Sequence, residues 1–220
     1  MEMRSQRLIT AAGIVRLRPL RRADLAEWRA ARLGDEEILR AVEPTGEPDW
    51  EEASSPRAFR KMLRGARFAA ADGHAATAAI ELDGRFAGQM TLGSIRPFPV
   101  ATCWAGYWVA SPYWGGGVAT AALALACDHA EALGMHRIEA TVLADNAASR
   151  TVLERCSFRQ VGVVREAFHI DGAWRDHLLL ERLTTQGGAV DALVASGAVR
   201  TLRGDVVDGS AWRERNPGDG

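Results

Sequence analysis

The sequence predicts a mixed α/β fold, one sheet with helices on both faces. Three observations predict it. Strand-like and helix-like stretches follow one another in the order β-α-α-β-β-β-α-β-α-β-β. Two Asp-Gly pairs, Asp83-Gly84 and Asp171-Gly172, each sit between strand-like stretches, and Asp-Gly supplies the positive φ of a tight hairpin turn. Finally, an aromatic strand ending at Tyr107-Trp108-Val109 passes through Ser111-Pro112 and the glycines Gly115-Gly116-Gly117 into an alanine-rich helix.

Ile14 to Leu20 alternates apolar and basic residues and reads as the first strand. Asp24 and Glu27 have capping-box spacing, so a helix is expected there, with Leu25 and Trp28 on its inner face and Gly34 at its end. Glu43 to Ser54 is acidic, holds two prolines and lacks periodicity, which predicts a mobile loop. Ser55-Pro56 then places an N-cap before a proline at the first helical position, and Phe59, Met62 and Leu63 follow at amphipathic spacing. The first Asp-Gly pair joins strands Thr77 to Leu82 and Arg85 to Ile95. Another strand is expected from Thr102 to Val109, a helix from Val118 to Leu133 closed by Gly134, and a strand from Arg137 to Leu143. The last two strands are parallel neighbours joined by the crossover helix. Asp145-Asn146 caps a short helix whose inner face is Val152, Leu153 and Cys156. The closing strands run near Gln160 to Arg165 and Trp174 to Leu183. The domain therefore spans 1–183. Residues 184–220, interrupted by glycine and helical only near Val190 to Val194, read as a flexible or partner-dependent tail.

At 220 residues, 47% apolar and 25% charged, the chain suits one soluble domain. A net charge of −1 provides no global field for nucleic acid. Cys103, Cys127 and Cys156 are odd in number and lack metal-ligand spacing, which argues for a reducing compartment and against a zinc site or any other metal. The N-terminus lacks the apolar core of a signal peptide, and no apolar run reaches the roughly 20 residues of a membrane helix, so a cytoplasmic protein with no membrane partner is expected.

Consecutive glycines at a strand-to-helix junction let backbone N–H groups converge, and the helix adds its own unpaired N–H groups and dipole. Such a junction suits a phosphate. A nucleoside-triphosphate loop needs a lysine that is missing here. A dinucleotide fingerprint finds Gly115 and Gly117 but Thr120 at its third glycine, and Glu139 stands too early in its strand for a ribose contact. A glycine turn that merely allows close packing remains open on these residues alone.

The junction also resembles the motif Arg/Gln-x-x-Gly-x-Gly/Ala of the GCN5-related N-acetyltransferases (GNAT family). Trp114-Gly115-Gly116-Gly117-Val118-Ala119 follows it, with Trp in the manner of the RimJ/RimL-like subgroup that modifies ribosomal-protein N-termini. Gly106 to Val109, Tyr113 to Thr120, His136 to Ala140, Asn146 to Phe158 and Asp171 to Asp176 are similar to that subgroup's further motifs, over about residues 14 to 183. The resemblance implies a mostly antiparallel sheet of six to seven strands and direct acetyl transfer from acetyl-CoA to a primary amine. It implies cofactor binding by Tyr107, Trp108, Val109, Trp114, Gly115, Gly116, Gly117, Val118, Ala119, Thr120, Asn146 and Ser149. For catalysis it implies a backbone N–H at Val109 for the oxyanion, and Ser149 for the leaving thiolate, since Leu153 stands where many relatives carry tyrosine. Two residues depart from the pattern: Ser157 stands at a usual glycine, and Trp104 at a position often polar.

The base is open among Glu81, Glu139, Glu166, His169 and Asp176, with Glu166 favoured because it lies two residues from Phe168, where RimL-like enzymes carry glutamate. At pH 7 an α-amine is roughly 10–15% neutral and a lysine amine about 0.04%, so a chain without an obvious strong base suits a protein or peptide N-terminus, as in ribosomal proteins. Acetylation of a small-molecule amine, and a non-catalytic acyl-CoA-binding module, are the alternatives. The amine substrate is the expected partner, with no direct nucleic acid, and the protein is expected to be a monomer or homodimer.

Overall fold

A computed structural model of the chain describes residues 1–202. In chain order the elements are β1 (Leu8–Thr10), β2 (Gly13–Pro19), α1 (Leu25–Gly34), α2 (Glu36–Arg40), α3 (Trp50–Ala53), α4 (Pro56–Ala71), β3 (Ala76–Leu82), β4 (Arg85–Arg96), β5 (Thr102–Val109), α5 (Val118–Ala132), β6 (Arg137–Leu143), α6 (Ala147–Arg155), β7 (Arg159–Ile170), β8 (Ala173–Leu183), α7 (Ala189–Ala195) and β9 (Arg200–Thr201). The strands form one sheet in the order β7-β8-β6-β5-β4-β3-β2-β1-β9. Every pairing is antiparallel except β5 with β6, the pair bridged by α5.

Strand alternation sorts the core into two layers. Ala78, Ile80, Met90, Leu92, Cys103 and Ala105 turn to the face covered by α5, α6 and α7. Ala79 and Phe86 turn to the opposite face, where Trp28 of α1 and Phe59 and Leu63 of α4 close a smaller cluster. Helix α5 is alanine-rich and buried nearly all round, because α6 and α7 flank it above the sheet. Both Asp-Gly turns form as expected, with positive φ at Asp83, Gly84, Asp171 and Gly172. Ser157 adopts φ +63, the conformation for which glycine is the usual choice.

Several expectations need correction. Among the described residues the sheet has nine strands rather than six or seven, because β1 and β9 hold three and two residues, too few to show a period. The Asp24/Glu27 capping box does not close on α1. Asp24 instead accepts from the Arg21 N–H (2.7 Å) and from the Arg18 guanidinium, while Glu27 reaches the Phe86 N–H (2.8 Å). The segment between α2 and α4 contains α3. Its cap is Asp49, and the buried Trp50 donates its indole N–H to the Arg32 carbonyl at 2.8 Å. From Thr184 to Leu202 the chain runs across the domain: Val190, Leu193 and Val199 join the main core and β9 extends the sheet edge. Asp128 of α5 accepts from the Ala189 N–H at 2.7 Å and so caps α7. The rest of the expected tail lies outside the described residues.

Candidate active site

The site begins where β5 and β6 part. They pair only at Thr102–Arg137, Cys103–Ile138 and Trp104–Glu139, while β5 stays paired with β4 as far as Val109. The Ala110 N–H donates to the Ala87 carbonyl at 2.9 Å, which sets the phase of the β4–β5 ladder. The backbone groups of Tyr107 and Val109 therefore point the other way, into the gap. The Val109 carbonyl there accepts from the Trp114 indole at 2.6 Å, and its N–H faces the opening.

A cavity of about 750 Å³ fills the gap. Strand alternation divides its lining between the two faces of the sheet. Tyr107, Val142, Asn146, Ser149 and Leu153 lie on the side of α5 and α6. Trp104, Trp108, Glu139, Phe168, His177 and the segment from Leu39 to Pro44 line the other side. The opening thus passes through the sheet, and two reactants can meet in it from opposite faces.

On the α6 side, Asn146 caps the helix by accepting from the Ser149 N–H at 3.0 Å. This holds Ser149 in the first turn, with its Oγ 3.0 Å from the Tyr107 hydroxyl. Burial pushes the Tyr107 phenol well above its ordinary range, and its bond to Ser149 opposes that only in part, so it stays protonated near neutrality. A tyrosine on β5 thus supplies a hydroxyl on the side where Leu153 has none to give.

The glycine loop follows β5. Gly115 and Gly117 take φ +82 and +83. A Cβ on Gly116 would lie 2.4 Å from the Ala12 Cβ, and the Gly116 carbonyl accepts from the Ala12 N–H at 3.3 Å. The loop is also tied from outside: Asp35 accepts from the Ser111 N–H (2.8 Å) and hydroxyl (2.6 Å). The first hydrogen bond of α5 runs from Ala121 to the Gly117 carbonyl. The N–H groups of Val118, Ala119 and Thr120 precede it without intrahelical acceptors, at the positive end of the dipole. These amides suit an anion such as a pyrophosphate.

Across the sheet, Trp104 lies flat over two glycines: a Cβ on Gly93 or Gly106 would come within 2.3 or 2.8 Å of its ring. Its indole N–H donates to Ser94 at 3.1 Å. Glu43 forms a two-pronged ion pair with Arg32 (2.9 and 2.8 Å), whose guanidinium sits among the rings of Trp28, Trp50 and Trp108. Glu139 is paired with Arg137 at 2.9 Å.

Of the five candidate bases, the cavity takes in Glu139 alone. Glu166 must be withdrawn. The β7–β8 register slips between Val164 and Phe168, and Glu166 sits in that bulge at φ +48, exposed, with its N–H donating to Asp176. The even offset from Phe168 therefore does not hold the two on one face. Glu81 is buried beneath Arg16 and Arg18, and His169 is bonded to Thr45. The sequence reading missed His177, which is buried and lines the cavity. Its place becomes visible only through the pairing of His177 with Leu143 at the end of β6. Among the described residues no cluster of ligating side chains could hold a metal, and no helix is long and apolar enough to cross a membrane.

A family model for an acetyltransferase (GNAT) domain matches residues 15–159. The solved structure of Mycobacterium smegmatis RimJ in complex with CoA-disulfide is 40% identical with a TM-score of 0.88, the match covering 90% of this chain and 97% of that one. RimL, a ribosomal L7/L12 α-N-protein acetyltransferase solved with coenzyme A, has a TM-score of 0.70 at 22% identity, over 80% and 97%, a likeness of fold alone. Among curated proteins, the probable N-acetyltransferase YjcK of Bacillus subtilis is 36% identical over 99 residues, 44% of this chain and 55% of that one. The ribosomal protein uS5-alanine N-acetyltransferase of Escherichia coli is 33% identical over 78 residues, 35% and 40%. The chain thus matches about half the length of these curated relatives.

Proposed function

The chain belongs to the GNAT acetyltransferase family, in its RimJ/RimL-like group, and from that premise we propose that it transfers the acetyl group of acetyl-CoA to the α-amine of a protein or peptide N-terminus. The observation that carries this reading is the opening between β5 and β6. It has a free N–H at Val109 and a serine–tyrosine pair on one face, and it leads directly into the glycine loop.

Acetyl-CoA is a substrate here, and the residues fit it. Its pyrophosphate is held by the amides from Gly115 to Thr120, where the helix dipole favours negative charge and Gly116 leaves no room for a side chain. Trp114 braces that loop against the end of β5. The pantetheine arm, an extended chain of amides, takes the place of the missing strand beside β5, and the backbone groups of Tyr107 and Val109 pair with it. The thioester carbonyl then lies at the Val109 N–H, a donor already aimed at the place where negative charge develops. As the carbon–sulfur bond breaks, the sulfur meets the Ser149 hydroxyl. The Tyr107 phenol lies 3.0 Å from Ser149 Oγ, where either hydroxyl can donate; with the phenol as donor, the serine proton is left for the thiolate.

The acceptor approaches from the face of Trp104 and His177. An α-amine is a better match than a lysine amine, since removing its proton at pH 7 costs about 3.5 kcal/mol less. The names of the uS5 and L7/L12 enzymes support a ribosomal-protein N-terminus as the acceptor. The test is a panel of N-terminal peptides and small amines incubated with acetyl-CoA, followed by release of free CoA thiol. N-terminal peptides are expected to turn over fastest. Tight CoA binding without thiol release on any acceptor would leave only a binding module.

A further inference from the structure

We propose that His177 receives the proton lost by the acceptor amine, an assignment that rests on the acetyl-transfer reading above. Among the described residues, three titratable side chains reach the acceptor half of the cavity: Glu43, Glu139 and His177. Two of them are already committed. Glu43 is gripped at both oxygens by Arg32, and Glu139 is ion-paired through one oxygen with Arg137. His177 has no such partner among the described residues.

Its geometry also fixes which nitrogen can act. Nδ1 lies 3.1 Å from the Arg175 carbonyl, and a carbonyl can only accept, so Nδ1 carries the proton of the neutral ring. The lone pair is left on Nε2, for which no hydrogen bond is seen among the described residues, in a ring that lines the cavity. Phe168 meets the imidazole edge-on, with centroids 5.0 Å apart, and limits its rotation. His177 pairs with Leu143 at the end of β6, so the ring stands on the far bank of the opening from Tyr107.

The step balances without a further reactant. The neutral amine's lone pair forms the carbon–nitrogen bond, and the carbonyl pair moves to oxygen at the Val109 N–H. The nitrogen, now positively charged, gives its proton to Nε2. The oxygen pair returns, the carbon–sulfur bond breaks, and the thiolate departs hydrogen-bonded to Ser149. The imidazolium releases its proton to solvent, and the thiolate regains one there.

Two variants and one wild-type measurement test this. His177→Gln is expected to lower kcat for an N-terminal peptide by about 100-fold, with CoA affinity unchanged. His177→Ala is expected to regain turnover when free imidazole is added, which a purely structural loss would not do. If His177→Gln stays within a few-fold of wild type, or His177→Ala is indifferent to imidazole, the assignment is wrong. Should neither variant fold, carbethoxylation of wild type decides. Modification of His177 should track loss of turnover and be blocked by a CoA–peptide conjugate; loss of turnover with His177 unmodified overturns the proposal. A wild type that releases no thiol with any amine overturns the acetyl-transfer reading instead.

Discussion

The hydroxyl of Tyr107 on β5 and the Oγ of Ser149 on α6 lie 3.0 Å apart across the opening in the sheet. The two residues come from different elements and meet because Asn146 fixes the first turn of α6. Ser149→Ala is expected to lower kcat by about 100-fold without weakening CoA binding. Tyr107→Phe removes one supporting hydrogen bond and should cost up to about 10-fold. Because both act on the same proton, the double variant should be no slower than Ser149→Ala alone. Steady-state kinetics of the three variants, with CoA affinity by calorimetry, checks this; additive losses would separate the pair.

Two glycines should respond to alanine in opposite ways. At Gly116 the new Cβ meets Ala12 at 2.4 Å, so the loop must shift, and CoA affinity is expected to fall at least 10-fold. At Gly65 in α4 the Cβ meets nothing, and Gly65→Ala should stabilise the fold by roughly 0.5–1 kcal/mol through helix propensity. Thermal melts and CoA titrations of both variants read the contrast.

Acid should weaken the fold through Glu81. Burial alone would raise its pKa, but hydrogen bonds and charge from Arg16 and Arg18 outweigh this and hold it below the ordinary range. A carboxyl with a depressed folded pKa stabilises at pH values above its unfolded value, and that stability is lost as pH falls through the folded value. The melting temperature should therefore hold from neutrality down to about pH 4.5 and fall below it. Glu81→Gln should cost about 1.5–3 kcal/mol at pH 7, since the charge-assisted bonds from Arg16 and Arg18 are weakened while Asp24 still pairs with Arg18.

The three cysteines are buried, and burial pushes the thiols of Cys103 and Cys156 up to about 12 and that of Cys127 well up. A thiol held protonated is a poor nucleophile. The folded protein should react slowly with a disulfide reagent, and at all three positions after denaturation. A stoichiometric fast phase in the native protein would contradict the burial.

Glu43 lines the cavity and is held in place by Arg32, so Arg32→Met should raise KM for the amine several-fold while leaving KM for acetyl-CoA unchanged. Kinetics with each substrate varied in turn checks this. A change in acetyl-CoA binding instead would place the loop on the donor side.

Elements with a local signal were legible in the sequence: the strands Thr102–Val109 and Arg137–Leu143, the Ser55 cap, both Asp-Gly turns and the glycine loop. What failed depended on distant partners. The cap of α7 comes from Asp128 on another helix, and Glu27 leaves its capping box for Phe86 on β4. Glu166 lies away from the cavity because a bulge breaks the strand alternation between Val164 and Phe168. The resemblance implies Tyr107 as a cofactor contact, but the phenol's bond to Ser149 requires the packing of α6 beside β5.

The most direct test of the account is a crystal structure with a conjugate joining CoA through its sulfur to the α-nitrogen of an N-terminal peptide. The pyrophosphate is expected on the amides from Gly115 to Thr120, the sulfur beside Ser149 Oγ, and the linker between β5 and β6, so that the peptide lies on the face of Trp104 and His177. A conjugate with both halves on one face of the sheet, or with its pyrophosphate away from the glycine loop, would contradict it.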